Sequence, residues 1–165
     1  MKKMLLFILF VAAAFATTSC DSQSGTMVFA DKQIKKGQED KVELKASFTN
    51  KEAVYARAYL KEEIGAYQPE LNISNRMYKD DFTAELYIDG EFKDSWHALK
   101  NEYTADPSWK QFQFFVFNTS DRPDFPPAVF KKLSKGKHDV EIKVIRKRIN
   151  GDTELASGEF EFVVE

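Results

Sequence analysis

The sequence predicts an all-β protein, a single antiparallel sandwich of about seven strands with one short helical turn before the last hairpin. Three observations carry that expectation. Apolar and polar residues alternate in a series of short runs, the period-two pattern of half-buried strands. The dipeptides Asp89-Gly90 and Asn150-Gly151 sit between such runs, where a two-residue hairpin turn needs residues that tolerate positive φ. Aromatic residues make up 14% of the 165-residue chain, which argues against disorder and for β structure.

The elements follow in order. Val28 and Phe29 open a first strand that ends near Ile34. Lys35 to Asp40 is a polar turn. Val42, Leu44, Ala46 and Phe48 then alternate with Glu43, Lys45 and Ser47, a half-buried strand. Residues 53–64 carry good helix formers between Asn50 and Gly65, but they also alternate as a strand, with Tyr55, Arg57 and Tyr59 on one face. The β context and the tyrosines favour the strand. A loop runs from Ala66 to Asp81.

Phe82, Ala84, Leu86 and Ile88 form one face of the next strand, and Phe92 and Trp96 lie on its return after Asp89-Gly90. In Gln111 to Phe117, Phe112, Phe114 and Val116 share one face, and Phe115 and Phe117 the other. Both faces call for cover, as in a central strand or one covered by a neighbour. Pro126 to Leu133 fits one or two helical turns, with proline tolerated at the start. The last hairpin runs through Val140, Ile142 and Val144, turns at Asn150-Gly151 and returns from Leu155 to Val164. A short helical turn before the last two strands resembles the immunoglobulin-like arrangement, without the Cys–Trp–Cys core of antibody domains. Such a likeness concerns the fold and carries no function.

The first twenty residues have a different character. Lys2 and Lys3 precede an apolar run from Met4 to Ala16, followed by Thr17, Thr18, Ser19 and Cys20. This is the pattern of a secretory signal peptide. As a helix the run spans about 20 Å, short of a hydrocarbon core of about 30 Å. The single cysteine sits where cleavage is expected, so no disulfide within the chain is possible.

These residues resemble a bacterial lipoprotein signal, in which diacylglycerol is attached to the cysteine thiol. The usual leucine three residues before the cysteine is replaced by Thr17, as in the looser boxes of Bacteroidetes lipoproteins. The resemblance implies a signal peptide over residues 1–19 and a lipidated Cys20. A tether follows to residue 26, at most about 20 Å long, and a sandwich domain occupies residues 27–165. It also implies a place in the bacterial cell envelope, on the inner or outer membrane. Two or more acyl chains give stable anchoring where one does not.

The chain carries a net charge of −2, and removing a leader that holds two lysines makes the remainder more acidic. No nucleic-acid footprint is present. His97 and His138 are not spaced as a metal-ligand pair, so neither a metal site nor a cofactor is expected. Asp94, Ser95, His97, His138 and Asp139 offer the parts of a hydrolytic triad but no nucleophile elbow, and no catalytic residue is assigned. Trp96 and Trp109 could stack on sugars, as could Tyr55 and Tyr59. Two basic clusters, Lys131 to Lys137 and Arg146 to Arg148, could meet anionic headgroups or simply protect a strand edge.

Three readings of function follow. The first is a non-catalytic, membrane-anchored lipoprotein that binds a protein partner in an envelope assembly. The second is a glycan-binding surface lipoprotein for nutrient capture. The third is a small hydrolase.

Overall fold

The computed structural model describes residues 24–35, 37–63, 66, 81–97, 108, 110–118, 123–147 and 151–165. The described residues are mostly β. The strands are β1 (Gly25–Ala30), β2 (Ser47–Thr49), β3 (Val54–Tyr59), β4 (Asp81–Ile88), β5 (Glu91–His97), β6 (Gln111–Phe117), β7 (Gly136–Lys147) and β8 (Thr153–Val164). A single helical turn, α1 (Pro127–Lys131), precedes β7, with proline in its first turn as expected. Residues 54–59 are strand, as their alternation suggests.

The eight strands form one hydrogen-bonded sheet in the order β5-β4-β7-β8-β1-β3-β6, with β2 added beside β8. The sheet is mixed, not purely antiparallel. β8 pairs antiparallel with β7 but parallel with both β1 and β2. It is curled into a half-barrel. Its two end strands lean toward each other until Trp96 of β5 meets Phe114 of β6 edge-on, with ring centroids 5.6 Å apart. Geometry of that kind is favourable for an aromatic pair.

The curl encloses the core. Leu86 and Ile88 on β4, Ile142 and Val144 on β7, Phe160 and Phe162 on β8, and Ala56 and Ala58 on β3 all face inward and are buried. Alternation in the sequence was therefore a true guide to β4, β7 and β8. The Asp89-Gly90 turn has φ of 54° and 78° at its two central residues, as a tight hairpin of this hand requires.

Three expectations are corrected. β1 starts at Gly25, inside the stretch read as tether. Gly25 is needed there, because a Cβ would stand 1.9 Å from the Tyr59 carbonyl oxygen. The expected strand over 42–48 shrinks to Ser47–Thr49, after a 3₁₀ turn at Glu39–Lys41. Its apolar residues alternate without a core to face, and Leu44 is 52% exposed while Phe48 alone of the set is buried.

The third correction concerns β6, which lies at an end of the sheet, not its centre. A bulge explains its two-faced pattern. Tyr55 pairs with Phe115 and Val54 with Phe117, so one extra residue is inserted, and Val116 and Phe117 both turn into the core. Phe115 stays on the outer face, stacked on Tyr55 at 4.6 Å and nearly parallel. The outward backbone of Phe115 is also occupied. Its N–H donates to an Asp124 carboxylate oxygen at 2.7 Å, and its carbonyl accepts from the Asp124 N–H at 2.7 Å. A side chain that caps an edge in this way blocks strand-to-strand addition at that point.

Candidate functional site

Trp96 is half-buried, and it packs against the core instead of standing out as a platform. Tyr55 and Tyr59 are half-buried on the outer face of β3. Between them Arg57 is buried, donating to the Gln111 side-chain oxygen at 3.0 Å and to the Ile34 carbonyl. The segment after β1 therefore folds back over this face. Burial raises the Tyr59 phenol above its ordinary range, and the Glu39 carboxylate adds to the effect. Trp109 and Cys20 lie outside the described residues, as does the side chain of His97.

His138 is committed to structure. Its Nδ1 lies 2.7 Å from Oδ2 of Asp89, and its Nε2 lies 3.0 Å from the carbonyl oxygen of Ser134. Both partners accept, so both ring nitrogens must donate, which requires the imidazolium. The Asp89 contact and the Ser134 carbonyl raise the His138 pKa, and the same contact lowers that of Asp89. Asp89 also accepts from the Asp139 N–H at 3.0 Å. The His138–Asp89 pair thus clamps the β4–β5 turn to the start of β7. Sequence proximity pointed to Asp139, but neighbours on a strand face opposite ways. Ser95 is exposed on β5, where its N–H donates to Asp94 Oδ1 at 2.8 Å. None of these contacts joins His138 to a serine hydroxyl.

The outer face of β4 and β7 holds a second polar network. Glu85 is buried, which pushes its pKa up, but hydrogen bonds from Lys147 and from the Tyr87 hydroxyl outweigh that and hold it low. Lys147 also reaches Asp152 at 2.9 Å. Lys147 of the second basic cluster is therefore neutralised by two carboxylates. Among the described residues, no group of three His, Cys, Asp or Glu side chains converges as metal ligands would.

An open depression lies where no sequence pattern pointed. It has a volume of about 220 Å³ and sits at the end of β8 beside α1. Phe117 of β6, Phe130 of α1 and Phe162 of β8 form an aromatic triangle, with every pair of ring centroids 5.1 or 5.2 Å apart. Val164, Asn50 and Lys131 complete the lining. The three phenylalanines come from distant segments, so no local spacing signals their meeting. The Asn50 N–H is tied to the Val163 carbonyl at 2.9 Å, while its side-chain oxygen is buried without a hydrogen-bond partner. Lys131 is exposed and has no carboxylate partner among the described residues.

No family model matches the chain, and no curated protein or solved structure is significantly similar to it.

Proposed function

We propose that the chain is a lipid-anchored, non-catalytic domain of a bacterial envelope that binds a protein partner. The observation that carries this reading is the polarity of the sheet relative to Cys20. Gly25, only a few residues beyond the cysteine, pairs with Ala156, whereas Gly136 pairs with Val164 at the far end of β8. The eight residue steps from Ala156 to Val164 span about 26 Å at the usual strand rise. A lipid on Cys20 would hold the Gly25 end at the membrane and present α1, with Lys131, Lys132 and Lys135, away from it. The same geometry favours a protein over headgroups as the partner of those lysines. His138 and Glu85 are each held in structural contacts.

The immunoglobulin-like arrangement belongs to the same proposal. Immunoglobulin-type sandwiches place strands A, B and E in one sheet and G, F, C and C′ in the other. The path here would supply them in that grouping, with β1, β3 and β6 on one side, β8, β7, β4 and β5 on the other, and β1 joined to β8.

The test is gentle crosslinking of the full-length protein in its native membrane, followed by pull-down, with Cys20→Ala as control. A stoichiometric protein partner lost together with the lipid is the expected result. An empty pull-down would overturn the reading. A glycan-binding role is the second reading, favoured by the half-exposed Tyr55–Phe115 stack. A glycan array probed with wild type and Tyr55→Ala tests it, and a blank array removes it.

A further inference from the structure

We propose that Asp89 is a guarded modification site, where the peptide link to Gly90 can migrate onto the Asp89 side chain to give isoaspartate, and that His138 and the Asp139 N–H hold the site shut. The chemistry starts from the sequence. Asp89 is followed by glycine, whose N–H has no neighbouring Cβ to shield it from the preceding carboxyl group. The Gly90 nitrogen bonds to Asp89 Cγ, and its proton leaves with the carboxyl hydroxyl group as water. A five-membered succinimide results. Water then opens the ring at either carbonyl. Opening at the side-chain carbonyl restores aspartate. Opening at the main-chain carbonyl leaves the chain running through Cβ and Cγ, one backbone carbon longer, with a free α-carboxylate.

Two conditions must be met for the first step. The carboxyl group must swing over the Gly90 nitrogen, and it must be protonated, since a carboxylate resists a nucleophile. The contacts of Asp89 oppose both. Its Oδ2 lies 2.7 Å from His138 Nδ1, and its Oδ1 accepts from the Asp139 N–H at 3.0 Å, so both oxygens are drawn across to β7. The Asp89 N–H donates to the Asp139 carbonyl at 2.8 Å, which fixes the backbone as well. His138 is braced in turn by the Ser134 carbonyl, and its contact keeps the Asp89 carboxyl ionised, below its ordinary range. Charge-assisted hydrogen bonds of this kind are roughly twice as strong as neutral ones. Asp89 is half-exposed, so water to open the ring is at hand. The backbone supplies a reason for the guard. Among the described residues Asp89 is the one non-glycine with positive φ, at 54°. Such a residue carries strain that its surroundings must sustain, and a longer isoaspartyl backbone relieves it. The extra carbon would also move the carboxylate off His138, so the clamp would not re-form.

The experiment incubates the full-length protein for several weeks at mildly acid pH and physiological temperature, both folded and in urea. Wild type is compared with His138→Ala and with His138→Gln, a milder change that serves if the first fails to fold. The tryptic peptide Asp80–Lys93 reports the site, because its isoaspartyl form has the same mass but a different chromatographic retention. Asn150-Gly151, in the other hairpin turn, deamidates through the same kind of ring and serves as a clock for general loosening. Folded wild type should keep its aspartate, and wild type in urea should lose it. Folded His138→Ala should form isoaspartate about tenfold faster than folded wild type or more, since a charged hydrogen bond no longer has to break before attack. His138→Gln should fall between them, and the Asn150 clock should not change. No isoaspartate in urea would overturn the site. Equal rates in folded and unfolded wild type, or His138 variants no faster than wild type, would overturn the guard. So would Asn150 deamidation that rises in step with Asp89, since the effect would then be general loosening.

Discussion

Replacing Asp89 by Asn changes one atom in the His138 clamp and should alter both stability and titration. Asn tolerates the positive φ of 54° at this position, so the turn itself is preserved. The amide keeps one acceptor, enough for the Asp139 N–H. It then turns an N–H donor toward His138 Nδ1, which can accept only when the ring is neutral. The raised pKa of His138 should therefore fall in the variant.

The magnitude follows from what is lost. A hydrogen bond to a charged group contributes about 1.5–3 kcal/mol. Asp89 is 52% exposed, so solvent screening trims this, and about 1–2 kcal/mol is expected at mildly acid pH. The pH dependence has a definite sign. His138 has its pKa raised above 6.5 in the fold, so its contribution is complete below 6.5 and disappears as pH rises through the folded value. Asp89 is depressed below 3.8, so its contribution is present above 3.8 and disappears as pH falls through the folded value. The clamp is strongest between those two ordinary values.

Urea unfolding of the protein, followed by tryptophan fluorescence across that window and above it, measures the effect. Wild type should lose stability from neutral to alkaline pH, and Asp89→Asn should lose less. NMR titration of His138 reads the pKa directly. A variant as stable as wild type near pH 5, or an unchanged His138 titration, would refute the argument.

Three further outcomes are expected. Phe114→Ala should cost about 3–5 kcal/mol in chemical denaturation and shift the Trp96 emission, because Phe114 is fully buried and carries the contact between the two end strands. Gly158→Ala should destabilise by about 1–3 kcal/mol in thermal melts, since the new Cβ would stand 2.8 Å from Met27 Cβ. Asp124 is raised by burial, only partly offset by the Phe115 N–H, so its charge opposes folding as pH rises above 3.8. Asp124→Asn should thus leave stability at pH 7 unchanged or higher, whereas Asp124→Ala, which strips the acceptor from Phe115, should lose about 1–2 kcal/mol.

Strands with one face on the core were legible in the sequence, because alternation records burial directly. Phe82 to Ile88 and Val140 to Val144 are examples, and Asp89-Gly90 marked the hairpin between β4 and β5. Residues 42–48 misled for the converse reason. Before Phe48 their alternation has no core to face, and hydropathy alone cannot report that. The strand from Gln111 to Phe117 looked central because a bulge, invisible in sequence, turns Val116 and Phe117 the same way. The site was less legible still. The partners of His138 come from turns on either side of it in space, and the aromatic triangle gathers three separate segments. Such encounters are set by topology, which pattern reading does not supply.

β8 holds a singular place, joining β7, β1 and β2 at once, and it is the last strand in chain order. β1 at the start of the sheet must wait for it, since one of its two neighbours does not yet exist while the chain is being made. Closure thus depends on contacts of very high sequence separation, which slow folding. A nascent chain of this design has no way to complete its sheet early.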